Sequence, residues 1–141
     1  MLKMPVLLCT LLLFSCGGDD SGTNISVSFD SIRFCTQTGS DGLCETSRNQ
    51  ISKGTTRIYS STQVNLYTIS GSFSFNWYLL NENGCRTNLS KDTVVPGVDG
   101  QQLLTAYYMN TGGLEKGLYE LEIIFNSSEK SESAVAQFSV N

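Results

Sequence analysis

Phe73-Ser74-Phe75-Asn76-Trp77-Tyr78-Leu79 alternates large apolar residues with smaller or more polar ones. Successive side chains of a β-strand point to opposite faces, so Phe73, Phe75, Trp77 and Leu79 share one face. Ser74, Asn76 and Tyr78 share the other. A strand with one such face is half-buried, as in an antiparallel sheet with water on one side. Trp77 at its centre is therefore expected to be a core residue.

The same period recurs outward from this stretch. Tyr119, Leu121, Ile123 and Phe125 alternate with Glu120, Glu122 and Ile124. Glu120 and Glu122 are expected on the solvent side of that strand. Ala134, Ala136, Phe138 and Val140 alternate with Val135, Gln137 and Ser139, and Ile25, Val27 and Phe29 with Ser26 and Ser28. The parity slips at Asp30-Ser31 and resumes at Ile32 and Phe34, which implies a bulge or a strand changing sheets. Weaker strands are expected over residues 57–59, 63–69, 93–95 and 103–109. Within 63–69 either Val64 and Leu66 or Tyr67 and Ile69 could point inward. Ser40-Asp41-Gly42, residues 81–84, Pro96-Gly97, Asp99-Gly100, Thr111-Gly112-Gly113 and residues 126–130 are turn signals. No helical periodicity and no repeat of 20–50 residues is present. The pattern predicts an all-β antiparallel sandwich of about seven or eight strands.

Two of these stretches resemble strands of immunoglobulin-like and fibronectin-III-like domains. Phe73 to Tyr78 resembles their third strand, with its buried Trp. Gly117-Leu118-Tyr119-Glu120-Leu121-Glu122-Ile123 resembles their penultimate strand, where a Tyr hydroxyl closes a corner on upstream backbone. The resemblance spans roughly residues 25–141. Antibody-type domains carry a Cys two residues after that Tyr, and Leu121 stands there instead. The likeness is thus to an immunoglobulin-like β-sandwich and not to antibody domains.

Composition sets limits on function. The 141 residues are 40% hydrophobic and 16% charged, room for one domain with its own core. The 13 acidic residues outnumber the 9 basic ones, giving −4. Without a basic cluster the chain is a poor binder of phosphate backbones, so no nucleic-acid partner is expected. There is no histidine. This removes Ser-His-Asp and Cys-His catalysis and His-ligated zinc. No cofactor, no metal and no enzymatic activity are expected.

The opening, MLKMPVLLCTLLLFSCGGDD, has the layout of a secretory signal: Lys3, an apolar run from Val6 to Phe14, then small Ser15 before Cys16. The run is too short to span a bilayer. Leu13-Phe14-Ser15-Cys16 resembles the bacterial lipobox. That resemblance implies cleavage before Cys16, a thioether lipid on its sulfur and anchoring in the membrane. Residues 1–15 are then a signal peptide, 16–24 a lipidated Cys with a polar tether, and 25–141 the sandwich domain. Such a tether spans about 16 Å as a random coil. Loss of Lys3 leaves 8 basic against 13 acidic residues, or −5. Gly17 after Cys16 lacks the inner-membrane retention signal of enteric lipoproteins, which favours the outer membrane. Asp19 and Asp20 resemble a surface-display signal.

With Cys9 in the signal and Cys16 lipidated, Cys35, Cys44 and Cys85 remain in an oxidising compartment. A Cys35–Cys44 bridge closing the Gly-rich loop between them is the leading pairing, with Cys44–Cys85 the alternative. Asp41, Asp92 and Asp99 sit at turn residues; turn chemistry is the expectation and calcium the sharper reading. Adjacent Tyr107 and Tyr108 must face opposite ways on a strand, so one is exposed. Both are candidates for ligand contact. The loops at 36–43, 81–88 and 96–102 are polar, contain Gly and could present a recognition surface. The expected function is a non-catalytic binding or structural module of the bacterial envelope acting on a protein partner. The alternative is a carbohydrate-binding surface lipoprotein.

Overall fold

The computed structural model describes residues 26–67, 71–96, 100–128 and 131–141. Cys16 with its lipobox, the signal peptide and the tether lie outside the described residues, as does Asp99. Nine strands follow in order: β1 (Val27–Phe29), β2 (Arg33–Cys35), β3 (Gln50–Ile51), β4 (Arg57–Leu66), β5 (Ser72–Leu80), β6 (Arg86–Val94), β7 (Gly100–Met109), β8 (Gly117–Asn126) and β9 (Ser131–Val140). Among the described residues there is no helix.

The strands form two sheets. In the first, β4 is central, with β7 along one edge and β1 and β2 end to end along the other. The second runs β3-β9-β8-β5-β6. All pairs are antiparallel except β3 with β9. The parity slip at Asp30-Ser31 is a bulge within one sheet. Phe29 pairs with Val64 but Arg33 with Ser61, a one-residue shift in register on the same partner strand. The long pairing of β4 with β7 also settles the parity of β4. Val64 and Leu66 turn inward, and Tyr67 is exposed.

The core lies between the inner faces. Phe73, Phe75 and Trp77 of β5 meet Leu121, Ile123 and Phe125 of β8, with Ile58, Val64 and Leu66 of β4 opposite. Phe34, Trp77, Tyr119 and Phe138 form a ring cluster. Phe34 and Phe138 have centroids 4.8 Å apart, and Tyr119 stacks on Phe138 at 5.2 Å. Trp77 lies 6.2 Å from Phe34 and 6.1 Å from Tyr108. Such offset pairs add to the energy of burial alone. The Tyr119 hydroxyl donates to the Glu115 carbonyl at 2.9 Å, closing the expected corner. Burial first, then the neighbouring Tyr108, raises the Tyr119 pKa. Before the corner, Gly113 has φ +87° and its Cα faces the Gly54 backbone. An added Cβ would fall 2.8 Å from the Gly54 Cα, so only glycine fits.

Three sequence expectations are corrected. The expected loop 81–88 ends at Cys85. The Asn81 side chain there accepts from the Asn83 and Cys85 amides, and β6 runs from Arg86 instead of from Thr93. Likewise residues 100–102 of the expected loop 96–102 belong to β7.

The third correction is Glu120. It lies on the outer face of its sheet, as its parity requires, but it is buried. Arg86 ion-pairs with it, Gln137 Nε2 donates to it at 2.9 Å, and Arg86 also reaches Glu122 at 3.6 Å. The Arg86 guanidinium sits 4.8 Å above the Tyr78 ring, whose hydroxyl donates to Glu122 at 3.2 Å. Burial, and then the Glu122 charge, raises the Tyr78 pKa. Long side chains from β5, β6 and β9 thus close over a carboxylate in mid-sheet. Arg86→Ala should cost about 1–2 kcal/mol, below the ~3–5 of a fully buried pair because the Arg86 side chain is 41% exposed. Arg86→Met with Glu120→Leu should recover most of that loss in urea unfolding.

Candidate recognition surface

On the outer face of the first sheet, β4 and β7 place Arg57 opposite Met109, Tyr59 opposite Tyr107 and Ser61 opposite Thr105. The Tyr59 and Tyr107 rings lie 6.2 Å apart. The Arg57 guanidinium sits 5.0 Å from the Tyr107 centroid and 5.9 Å from that of Tyr59. It donates to the Tyr59 hydroxyl at 3.2 Å and to the Met109 sulfur at 3.1 Å. The bond to Tyr59 is the main cause of a raised Arg57 pKa. Among the described residues no carboxylate ion-pairs with Arg57; the pairs found belong to Arg86. The result is an oriented cation on two aromatic rings, with Tyr107 57% and Met109 46% exposed.

Tyr107 and Tyr108 point opposite ways, as a strand demands. Tyr107 belongs to this outer patch, whereas Tyr108 is half-buried against Trp77. Arg57 and Met109 were not singled out in the sequence. Their pairing with the two tyrosines depends on the β4–β7 register, which spans 34–52 residues of chain.

A disulfide-closed loop overhangs the same face. Cys35 and Cys44 are bridged, with Cα atoms 5.5 Å apart. The Cys44 amide donates to Ser61 Oγ at 2.9 Å, which pins the loop over β4. Asp41 accepts from the Leu43 amide at 3.0 Å, so its carboxylate is spent on a turn. Gly42 approaches Thr105 of β7. Between loop and sheet lies a groove of about 280 Å³ lined by Thr38, Gly42, Tyr59, Asp92, Thr105 and Tyr107. A more polar hollow of about 470 Å³ lies within the loop, beside Gln37, Glu45 and Arg48. Cys85 is a free, exposed thiol on the β5–β6 turn. Asp92 Oδ1 accepts from the Thr93 amide at 3.0 Å. Among the described residues no three Cys, Asp or Glu converge in a way that could hold a metal ion.

The strand order, the inter-sheet Trp and the tyrosine corner define the class: an immunoglobulin-like β-sandwich. No protein-family model matches the chain, and no curated protein matches its sequence. Solved structures do match. A Niemann-Pick type C2 protein from the Japanese carpenter ant superposes with a TM-score of 0.52 at 8% identity, over 87% of this chain and 98% of that one. A CARDB domain from Pyrococcus furiosus, solved with di-metal ions, gives 0.48 at 16% identity, over 85% and 96%. A Parabacteroides merdae β-glucuronidase gives 0.49 at 14% identity; 81% of this chain matches only 14% of that enzyme. At 8% identity the likeness to the Niemann-Pick type C2 protein is one of fold alone.

Proposed function

We propose that this chain is a lipid-anchored, non-catalytic binding module of the bacterial envelope, and that the outer face of the β4–β7 sheet recognises a protein partner. The observation that carries the reading is the Arg57–Tyr59–Tyr107–Met109 patch. Tyr, Met and Arg are the side chains enriched at protein interfaces, and Tyr and Arg dominate their energetics. Here the three types meet on one face, exposed, beside a loop that a disulfide holds in place. The anchor rests on the signal layout and on Leu13-Phe14-Ser15-Cys16. Two or three acyl chains there would hold the domain at the membrane, whereas one chain binds only marginally. An outer-membrane address follows from Gly17, and surface display from Asp19 and Asp20.

The paired tyrosine rings beside a groove bearing Asp92 and Thr105 favour one second reading, a glycan stacked on Tyr107 with its hydroxyls on those polar groups.

The test is in-cell photo-crosslinking from position 105, on the full-length chain, with co-purified envelope proteins identified. One partner should be captured repeatedly, and Tyr107→Ala should weaken its binding by about 2 kcal/mol, or ~30-fold. Binding unchanged by both Tyr107→Ala and Arg57→Ala would overturn the surface assignment. A glycan-array signal abolished by Tyr107→Ala would replace the protein partner with a sugar. Separately, Cys16→Ala should abolish palmitate labelling and processing; labelling equal to the parent would remove the anchor.

A further inference from the structure

A sandwich of two open sheets has four edges, and an edge strand is a template for another strand unless something blunts it. Three edges here are blunted. The β1/β2 edge is broken by the bulge after Phe29 and carries Asp30 and Arg33. The β3 edge is two residues long. The β6 edge carries Arg86, Lys91 and Asp92, and its register breaks opposite Trp77 and Tyr78, leaving Leu89 as an extra residue.

The β7 edge has none of these devices. Among the described residues β7 pairs with β4 alone, over ten residues without a register break. Its sequence, Gly-Gln-Gln-Leu-Leu-Thr-Ala-Tyr-Tyr-Met, contains no charge and no proline.

The hydrogen-bond parity shows which groups are offered. The Asn110 amide donates to the Thr56 carbonyl at 2.8 Å, so even-numbered residues of β7 bond β4. The other side of β4 agrees, since the Gln63 carbonyl accepts from Asp30 and the Tyr67 amide donates to Ser26. Gln101, Leu103, Thr105, Tyr107 and Met109 therefore turn their N–H and C=O groups away from β4.

We infer that β7 is a self-association edge: two copies of this chain pair β7 to β7, antiparallel, about a two-fold axis normal to the sheet. Two constraints coincide. Outward-facing backbone groups require odd residues to meet odd residues. A two-fold normal to the sheet pairs residues of equal parity, which also keeps both outer faces on one side. The occupant is a second copy because charge favours it. Residues Gly100 to Leu114 carry no charge, and the two charges beside the strand, Arg57 and Asp92, are of opposite sign, so a second copy meets little net repulsion there. Tyr107 and Met109, exposed on the single chain, gain cover, and the joined sheet carries two Arg57–Tyr107 patches facing the same way. The edge geometry holds whatever that face binds, so the inference stands apart from the recognition reading.

The experiment uses the full chain purified in detergent, with native mass spectrometry for its mass and residue-resolved amide exchange for its edges. A dimer is expected in which the odd-numbered β7 amides exchange slowly, like the even ones. Thr105→Pro removes an N–H that β4 does not use, and Thr105→Lys adds a charge at an exposed position. Each should abolish the dimer peak and release the odd amides while the even ones stay protected. Leu104→Pro, which removes a bond to β4, should instead unfold the sheet. A chain that is monomeric at the concentration of the exchange experiment overturns the inference, as does a dimer that survives Thr105→Lys.

Discussion

Trp77→Ala is expected to leave the domain unfolded or close to it. Trp77 is 2% exposed and lies among Phe34, Tyr108 and Phe138, so it touches both sheets at once. Truncating a buried Trp to Ala costs about 3–5 kcal/mol, because the lost transfer energy is joined by a cavity the neighbours cannot fill. A small domain has only about 5–15 kcal/mol in total. Urea unfolding monitored by far-UV circular dichroism reads the change. A Trp77→Ala chain with the parent's midpoint would show that the indole does not hold the sheets together. Trp77→Phe, which keeps most of the volume, should lose less than half as much.

The next largest effect is expected from opening the bridge. Cys35→Ser with Cys44→Ser should cost about 2–3 kcal/mol, the loop-closure value for a ring of about ten residues. The bridge is buried at both ends, so two serine hydroxyls would also be left away from water. Reduction should lower the parent's unfolding midpoint towards that of the double variant and leave the double variant unchanged. If reduction does not move the parent, the bridge contributes nothing to stability. The groove beside Tyr107 should respond as well, since Thr38 and Gly42 form its wall only while residues 36–43 lie across the sheet.

What was legible in the sequence follows from how each residue meets water. β5 and β8 were readable because each has one face in the core and one outside, so Phe73, Phe75, Trp77 and Leu121, Ile123, Phe125 impose a period of two. The same logic exposed the slip near Asp30, whereas the corner at Tyr119 came from the resemblance to immunoglobulin-like strands. β6 left a trace only at residues 93–95 because it is an edge strand exposed along most of its length, and Arg-Thr-Asn-Leu-Ser-Lys-Asp-Thr-Val has little to alternate. Glu120 was misread for a different reason. Parity fixes the face a side chain takes, but not what lies over that face, and the cover here comes from Arg86 and Gln137 on other strands. The recognition patch was half legible. Tyr107 and Tyr108 had to diverge, yet only long-range register could bring Arg57 beneath one of them.

The place of β9 has a consequence for how the chain assembles. It is an interior strand, hydrogen-bonded to β8 on one side and to β3, some 89 residues earlier, on the other. Phe138 on that strand covers Phe34, Trp77 and Tyr119 together. Until residues 131–140 have emerged, those three rings face water and β3 has no partner. Hairpins such as β5–β6 can form early because their contacts are local, but closing the β3–β9 pair must wait for loop entropy to be overcome. The domain thus cannot close until residues 131–140 are available to it. A chain cut short before Phe138 would display an aromatic interior beside the uncharged β7, the combination most prone to aggregate.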